Sequence, residues 1–438
     1  MSGLLTDLYE LTMAAGYFEA GIASRTATFE LSVRSLPKQR NFVLAAGLAQ
    51  AVEYLQGLRF SREEIAYLRG LPQFARVSSR FFDMLGDFRF TGDVFAVPEG
   101  TPLFAGEPMM TIRAPLIEAQ VPETYLLSAL TFQTLIASKA ARVVHAGGGR
   151  DIVEFGTRRA HTPEAGVLGA RAAFIGGCVG TSNALAGYRY GIPVFGTAAH
   201  SWVMAFPNES ESFRQLQKLL GAHTVQLIDT FDTIEGARKA AALGRPLWGV
   251  RLDSGDLASL AKQVRAILDQ AGLRDARIMA TSDLDEFKIH DILAAGAPVD
   301  VFGVGTELAT SGDAPAMGAV YKLVEMDMGG IKRYTAKRSQ GKMSTPGAKQ
   351  VFRLADHDVL ARSGECCGGG AEALLRPVIL AGELVEPLPT LVDARKRAAE
   401  CLAKLPPALR SLEVVEPFRV EHSAELIALT EQTSRNMP

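Results

Sequence analysis

Charged side chains recur where short apolar runs end, between residues 151 and 306. They are three arginines and four aspartates: Arg158, Arg159, Arg251, Asp229, Asp253, Asp256 and Asp283. A guanidinium group binds phosphate or carboxylate through paired donors, and carboxylate oxygens are ligands that Mg²⁺ accepts. A ring of structural ion pairs would use the same residue types. The number of such residues at the run ends favours an anionic, metal-dependent substrate.

Two further run ends carry small and hydroxyl-bearing residues. Ser282-Asp283 and Gly305-Thr306 offer backbone N–H groups and hydroxyls that suit phosphate oxygens, although the same residue types also form tight turns. The chain has no Walker A motif, and Gly303-Val304-Gly305 is not completed to G-x-G-x-x-G. Phosphate would therefore be held by strand-end loops rather than by either nucleotide-binding motif.

His200 follows Gly196-Thr197-Ala198-Ala199 at another run end. A histidine in this place can act as acid, base, metal ligand or nucleophile toward phosphate, or can be a hydrogen-bonded structural residue. No potential metal-ligating partner lies at short spacing, which argues against the ligand role. The spacing does not choose among the other roles.

Seven apolar runs alternate with helical stretches in this part of the chain. The runs are 151–155, 172–178, 192–195, 224–228, 247–250, 277–280 and 299–302. Apolar strands that alternate with amphipathic helices, such as the pattern at 256–271, are typical of a parallel sheet covered by helices. Seven units in succession predict a (β/α) barrel. The active site of such a barrel lies at the C-terminal ends of its strands, where the polar residues above fall.

The two flanks of this region predict a second domain. Helical patterns occupy 5–20, 121–143 and 392–403, strand patterns occupy 24–36, 88–113, 317–325, 331–337 and 349–354, and 338–348 has a loop composition. We therefore predict an α/β protein with an irregular (β/α) barrel at 144–316 that carries the active site. Residues 1–143 and 317–438 are predicted to form an α+β domain together.

Composition and charge argue against several classes of protein. Lys and Arg number 46 against 48 Asp and Glu, which gives no broad basic surface for nucleic acid. No run approaches the length of a membrane span, and Asp7 and Glu10 stand where a signal peptide carries basic residues. The four cysteines form no C-x-x-C pair, so we expect no zinc site or disulfide framework and a cytoplasmic location.

Seven sequence motifs, in this order, resemble those of the nicotinate phosphoribosyltransferase family, over residues 1 to 330. The motifs are Thr6-Asp7-Leu8-Tyr9-Glu10-Leu11-Thr12-Met13, Glu154-Phe155-Gly156-Thr157-Arg158-Arg159, Gly180-Thr181-Ser182-Asn183, Gly196-Thr197-Ala198-Ala199-His200-Ser201, Ile228-Asp229-Thr230-Phe231-Asp232, Val250-Arg251-Leu252-Asp253-Ser254-Gly255-Asp256 and Phe302-Gly303-Val304-Gly305-Thr306. The last 100 residues match the family pattern weakly, and the motifs assign them no role.

The resemblance implies a type II phosphoribosyltransferase fold, an irregular barrel with a smaller domain, in a homodimer with shared active sites. It implies that the substrates are nicotinate, phosphoribosyl pyrophosphate and ATP, with Mg²⁺. The implied reaction gives nicotinate mononucleotide and pyrophosphate, coupled to ATP hydrolysis through a phosphohistidine. This is the first step of NAD synthesis from nicotinate.

By matching positions, the resemblance also implies residue roles. His200 and Asp253 are assigned as catalytic, with His200 as the histidine that ATP phosphorylates. Phe155 and Tyr9 are assigned as the aromatic pair around the pyridine ring, with Tyr9 coming from the partner subunit. The other assignments are Arg251 and Thr197 for nicotinate, Arg158, Asp253, Ser282, Asp283, Gly305 and Thr306 for the sugar and phosphate, Lys322 in Val320-Tyr321-Lys322-Leu323 for pyrophosphate across the dimer, and Asp229 for the magnesium side.

Ser182 bears on the choice of pyridine substrate. Nicotinamide-specific relatives tend to carry an aspartate in this motif, where it accepts a hydrogen bond from the amide. A carboxylate would repel ionised nicotinate, whereas a hydroxyl can donate to it. We therefore expect nicotinate as substrate. The alternatives are a nicotinamide-specific enzyme, a quinolinate phosphoribosyltransferase with further basic groups, and a non-catalytic metabolite-binding barrel.

Overall fold

The chain forms two compact units in the computed structural model, which describes residues 1–337 and 344–436. One unit combines residues 1–135 with 316–438, and the other comprises 136–315. Residues 338–343 of the predicted loop lie outside the described residues. No helix in the described ranges is long and apolar enough to cross a membrane.

The N-terminal segment contributes helices and antiparallel strands to the first unit. Its helices are α1 (Leu8–Glu19), α2 (Leu48–Gly57), α3 (Arg62–Arg69), α4 (Ser79–Gly86), α5 (Leu116–Gln120) and α6 (Glu123–Ala146), the last of which ends in the second unit. Its strands are β1 (Thr26–Ser35), β2 (Val43–Leu44), β3 (Asp93–Ala96), β4 (Pro102–Leu103) and β5 (Pro108–Pro115). Local signals fix several ends: Ser61 and Glu64 form a capping box at α3.

The second unit is a parallel sheet whose strands alternate with helices. Its strands are β6 (Asp151–Glu154), β7 (Gly180–Thr181), β8 (Val225–Leu227), β9 (Gly249–Leu252), β10 (Arg277–Ala280) and β11 (Val301–Val304). Its helices are α7 (Pro163–Ile175), α8 (Ala184–Tyr190), α9 (His200–Met204), α10 (Glu209–Leu220), α11 (Thr233–Leu243), α12 (Leu257–Gln270), α13 (Glu286–Ala294) and α14 (Thr306–Thr310).

The strand order in this sheet is β7-β6-β11-β10-β9-β8. An isolated parallel bridge between Thr181 and Val194 extends it beyond β7, and within the described residues β8 pairs only with β9. No pairing among the described residues joins the two ends of this sheet, so it forms an irregular rather than a closed barrel. Its helices bury one face each; in α12 the buried residues Leu257, Ala261, Val264 and Leu268 recur at helical spacing.

One of the seven predicted strands is wrong, and another is shortened to a single bridge. Residues 172–175 of the run 172–178 belong to α7, which starts with Pro163 after the capping residue Thr162. Residues 169–175 of that helix are all buried, and a buried helix shows the same continuous apolar run as a buried strand. The run 192–195 forms only the bridge at Val194, since Pro193 has no N–H to give to a ladder.

The C-terminal segment completes the first unit. Its strands are β12 (Gly318–Asp327), β13 (Lys332–Tyr334), β14 (Lys349–Arg353), β15 (His357–Arg362), β16 (Glu372–Ala373), β17 (Arg376–Leu380), β18 (Glu383–Leu384) and β19 (Arg419–His422), and its helices are α15 (Leu391–Lys404) and α16 (Ala424–Asn436). A seven-stranded sheet has the order β13-β12-β1-β5-β3-β17-β18, and β14, β15, β16 and β19 form a separate four-stranded sheet. Strands from both chain ends therefore share one sheet.

Candidate active site

A cavity of about 560 Å³ lies at the C-terminal ends of the barrel strands. Its size is in the range of small-molecule sites, and its position is the usual one in this architecture. Ten predicted site residues line it: Phe155, Arg158, Ser182, Thr197, Arg251, Asp253, Ser282, Asp283, Gly305 and Thr306. The structure thus brings together residues that are up to 151 positions apart in the chain.

One wall of the cavity is the ring of Phe155. This residue directly follows β6, and its N–H donates to the carbonyl oxygen of Val304 on the neighbouring strand, at 2.8 Å. A Cβ atom added to Gly303 would lie 2.6 Å from Cδ2 of Phe155. Only a glycine at position 303 leaves room for the ring where it stands, so the ring of Phe155, at the end of β6, lies over β11 and presents a flat aromatic surface to a ligand.

Arg251 is a largely buried cation beside this wall, with 13% of its side chain exposed. It donates to the hydroxyl of Thr197, and its Nη2 lies 3.9 Å from Oδ2 of Asp253. Burial lowers the pKa of Arg251, and the nearby carboxylates of Asp253 and Asp229 oppose that shift. Its Nε is buried without a hydrogen-bond partner among the described residues. A buried guanidinium with a donor to spare is suited to an anionic ligand.

His200, the first residue of α9, lies between two polar groups. Its Nδ1 is 3.1 Å from the hydroxyl of Thr230, and its Nε2 is 3.5 Å from Oδ2 of Asp253. The side chain is 39% exposed. Contacts at both ring nitrogens therefore orient the imidazole, and the ring remains accessible to a reactant.

Asp229 supports the loop that follows β9. Its Oδ2 accepts from the backbone N–H of Asp253 at 2.8 Å and from the hydroxyl of Ser254 at 2.7 Å. Its Oδ1 is buried and has no hydrogen-bond partner among the described residues. Nowhere in the described ranges do three His, Cys, Asp or Glu side chains gather as a metal site. A divalent cation here would thus depend on one or two carboxylates together with ligand oxygens, as Mg²⁺ often does.

The loops after β10 and β11 are the phosphate candidates. Ser282 has a φ of 120°, which is rare for a residue other than glycine, and such strain is often found at functional sites. Gly305 precedes α14 and lines the same cavity as Ser282 and Asp283. Arg158 and Arg159 are exposed in the short turn Thr157–Arg159 after β6, and both line the cavity.

Tyr9 and Lys322 belong to the other unit. Tyr9 lies on α1 and is 48% exposed; partial burial and the carboxylates of Glu123 and Glu10 raise its pKa. Lys322 lies on β12 and lines a cavity of about 290 Å³ with Arg34, Lys337 and Lys349. The first of these side chains offers an aromatic surface, and the second contributes to a cluster of cations.

Comparisons with known proteins match the chain along most of its length. The nicotinate phosphoribosyltransferase N-terminal domain matches residues 4–131, the nicotinate phosphoribosyltransferase family matches 151–356, and the corresponding C-terminal domain matches 363–430. A nicotinate phosphoribosyltransferase of Mycobacterium tuberculosis is 46% identical over 94% of this chain and 89% of its own length. The chain belongs to the nicotinate phosphoribosyltransferase family.

Other members of this family agree in sequence and in fold. A nicotinate phosphoribosyltransferase of Bacillus subtilis is 44% identical over 80% of this chain and 73% of its own. The crystal structure of human nicotinic acid phosphoribosyltransferase matches with a TM-score of 0.86 at 28% identity, over 98% of this chain and 99% of the human one. The predicted fold class is thereby confirmed. The C-terminal segment, which the motifs left unassigned, matches a domain of the same family.

Some residues that shape the site of this family member were not predicted. Thr230 contacts His200, Thr281 donates to Oδ1 of Asp253, and Ser254 donates to Asp229. All three are hydroxyl residues in the strand-end segments. Their location in these segments could have marked them as candidates. Their partners could not be predicted, because these hydrogen bonds join strand ends that are far apart in sequence.

Proposed function

We propose that this enzyme transfers the phosphoribosyl group of phosphoribosyl pyrophosphate to nicotinate, giving nicotinate mononucleotide and pyrophosphate. Family membership supports the reaction, and one observation of the site supports the acid as substrate. Arg251 is a buried cation with an unpartnered Nε, and it lines the same cavity as Phe155 and the exposed residue Ser182. An aromatic wall with cationic and hydroxyl donors matches a planar pyridine that carries a carboxylate.

The pyridine carboxylate accepts hydrogen bonds from Arg251, Thr197 and Ser182 in this proposal, and the ring lies against Phe155. Tyr9 of the partner subunit covers the opposite face of the ring. Nicotinamide lacks the negative charge that Arg251 would neutralise. A hydrogen bond to a charged group contributes about 1.5–3 kcal/mol, which is roughly ten- to a hundredfold in affinity.

The sugar phosphate and pyrophosphate take the other side of the cavity. Backbone N–H groups and hydroxyls come from Ser282, Asp283, Gly305 and Thr306. Positive charge comes from Arg158 and from Lys322 of the partner subunit. The pyridine nitrogen forms a bond to the anomeric carbon while the bond from that carbon to pyrophosphate breaks. Orientation and charge stabilisation are therefore the main tasks of the side chains, and no side-chain nucleophile is required.

Mg²⁺ fits the site through Asp229. The buried Oδ1 of Asp229 has no other partner in the described residues, and such an oxygen suits a hard cation. When bound, the ion would offset negative charge on the departing pyrophosphate. The residues of the chain hold this carboxylate in place through Ser254 and the backbone of Asp253.

ATP hydrolysis is proposed to pass through His200. A neutral imidazole nitrogen is a competent nucleophile near pH 7, and it attacks the terminal phosphorus of ATP with departure of ADP. Thr230 and Asp253 orient the ring, and phosphorylation places negative charge and new oxygen ligands next to Asp253. Water later releases inorganic phosphate and regenerates the histidine.

Product formation tests the proposed reaction and its substrate. Purified protein is mixed with phosphoribosyl pyrophosphate and either nicotinate or nicotinamide, with and without ATP and Mg²⁺. We expect the mononucleotide of nicotinate with a kcat/KM at least about tenfold above that for nicotinamide, stimulation by ATP, and loss of turnover with chelator. Equal use of nicotinamide would contradict the substrate assignment, and no product with either pyridine would indicate a binding protein or a different substrate such as quinolinate.

Transfer of labelled phosphate tests the role of His200. Incubation with γ-labelled ATP should label the wild type in an acid-labile, alkali-stable form, as a phosphoramidate requires. His200→Ala should lose the label and the ATP hydrolysis while it keeps a slow ATP-independent transfer, because the other substrate contacts persist. His290→Ala, at an exposed histidine on α13, is the matched control and should label normally. A labelled His200→Ala protein would refute the assignment.

A further inference from the structure

Glu154, the last residue of β6, is a buried carboxylate directly beneath the cavity. It is 2% exposed, and it does not itself line the cavity. Its two side-chain oxygens accept hydrogen bonds from different segments, one from the backbone N–H of Gly156 and the other from the hydroxyl of Thr181 at 2.5 Å. A buried carboxylate is costly unless both oxygens are satisfied, and here both are.

The two donors to Glu154 flank the two residues proposed to contact nicotinate. Gly156 follows Phe155, and Thr181 precedes Ser182. The backbone carbonyl of Glu154 also accepts from the N–H of Ser182 at 2.9 Å. Glu154 is thus hydrogen-bonded both to the segment that carries Phe155 and to the segment that carries Ser182.

The network continues from Thr181 into the next helix. The hydroxyl of Thr181 accepts from the backbone N–H of Asn183 at 2.9 Å, and the side chain of Asn183 caps α8 by accepting from the N–H of Ala186 at 2.9 Å. The loop that presents Ser182 is therefore fixed on both sides by hydrogen bonds that trace back to Glu154. The pairing of β6 with β7 ends at Thr181, and the backbone bond from Ser182 to Glu154 is the last one between these segments, so the loop beyond it depends on the side-chain bonds.

We infer that Glu154 is a positioning residue that fixes the distance between Phe155 and Ser182 and thereby sets the affinity of the site for the pyridine carboxylate. The inference rests on the proposed function, since it uses the nicotinate contacts proposed above. Glu154 touches no substrate; it acts through the two loops. Loops that carry phosphate contacts after β10 and β11 receive no side-chain hydrogen bond from it in the described residues.

Kinetics of four variants test this role: Glu154→Ala, Glu154→Gln, Thr181→Val and Thr181→Ser. Glu154→Ala should raise the KM for nicotinate roughly tenfold or more, as for loss of a charged hydrogen bond, while the KM for phosphoribosyl pyrophosphate changes less than about threefold. Glu154→Gln and Thr181→Ser keep groups that can bond, so they should recover most of the wild-type value. Thr181→Val should raise the nicotinate KM, and its combination with Glu154→Ala should add little, because both act in one network.

Glu209→Gln is the matched control, because Glu209 is also a buried carboxylate of the barrel unit and pairs with Lys239 at 2.9 Å on a different helix. It should leave the nicotinate KM unchanged. Thermal unfolding shows which variants are folded. If Glu154→Ala does not fold, the kinetics of Thr181→Val test the inference instead. Folded variants with equal rises in both KM values, or with wild-type KM for nicotinate, would overturn the inference alone. A wild type that makes no nicotinate mononucleotide would overturn the proposed function as well.

Discussion

Asp253 connects most of the charged side chains at the barrel strand ends. Its backbone N–H donates to Asp229, its Oδ1 accepts from Thr281, and its Oδ2 faces both His200 and Arg251. A substitution of Asp253 would therefore disturb the phosphorylation candidate and the carboxylate-binding candidate together. For this reason single changes at His200 and at the nicotinate loops separate the steps of the reaction better than a change at Asp253.

Glu10 is a buried carboxylate whose ionisation opposes folding. It is fully buried on α1; its Oε1 accepts from the N–H of Thr124 at 3.1 Å, and its Oε2 has no partner among the described residues. Burial raises the pKa of Glu10 to about 7, with smaller contributions from the negative charges of Glu123 and Asp7. Hydrogen bonds from Thr124 and Tyr9 oppose the shift.

The stability of the protein should therefore depend on pH through Glu10. Its pKa is higher in the folded chain than the ordinary 4.5, so its favourable contribution is complete below pH 4.5 and is lost as the pH rises toward 7. Glu10→Gln cannot ionise, so its free energy of unfolding should not carry this pH dependence. The difference in unfolding free energy between Glu10→Gln and the wild type should therefore grow by about 2–3 kcal/mol in favour of the variant from pH 5 to pH 8. Denaturant unfolding at both pH values measures this, with Glu53→Gln at an exposed position of α2 as the control. The same difference at both pH values would contradict the prediction.

At the scale of elements, most of the barrel strands could be predicted from the sequence. Parallel strands end at one edge, so residues after successive apolar runs could be expected to meet there, and ten of the predicted residues, eight of them polar, line one cavity. The strand at 172–178 was wrong because an apolar run does not distinguish a buried strand from a buried helix. The contacts of Thr230, Thr281 and Glu154 depend on distances between strands, which spacing in the chain does not contain.

The pairing of β6 with β11 makes Gly303 a test of how strands shape the site. These strands are parallel, with Val153 opposite Gly303, and the ring of Phe155 covers Gly303. In Gly303→Ala the new methyl group would lie 2.6 Å from the ring of Phe155 and 2.7 Å from Cγ2 of Thr281. The ring must move, and a displacement near 1 Å in a site can cost up to about a hundredfold in rate.

We expect Gly303→Ala to raise the KM for nicotinate roughly tenfold or more, with a smaller effect on the KM for phosphoribosyl pyrophosphate. Steady-state kinetics with each substrate varied in turn measure the split. Gly364→Ala, where an added Cβ meets open space, should leave both values unchanged. Wild-type nicotinate kinetics in a folded Gly303→Ala protein would show that Phe155 does not contact the pyridine ring where it stands.

At the scale of the whole molecule, both chain ends build the first unit. Strand β12 pairs along β1, with Glu30 opposite Lys322, and β17 pairs with β3. The C-terminal segment is therefore part of the sheet that presents Lys322, rather than an appendage. Apolar periodicity predicted that the flanks combine, but their register could not be read from sequence because it is set by pairing over about 300 residues.

A homodimer with shared sites predicts recovery of activity from two defective proteins. In such a dimer each site takes His200 from one protomer and Tyr9 and Lys322 from its partner. Mixed Tyr9→Ala and His200→Ala proteins form hybrids in which one site combines the intact His200 of the first with the intact Tyr9 of the second. Random exchange makes half of the dimers hybrid with one intact site of two, so about a quarter of wild-type ATP-stimulated turnover should return.

Lys322 supplies the control that distinguishes sharing from any general effect of mixing. Lys322→Ala mixed with His200→Ala should recover activity in the same way, since the intact residues again meet in one site. Lys322→Ala mixed with Tyr9→Ala should not, because both residues are lent by the same protomer and every hybrid site then lacks one of them. Subunit exchange is verified with differently tagged proteins. Recovery in all three mixtures, or in none despite exchange, would be incompatible with sites completed by Tyr9 and Lys322 of the partner.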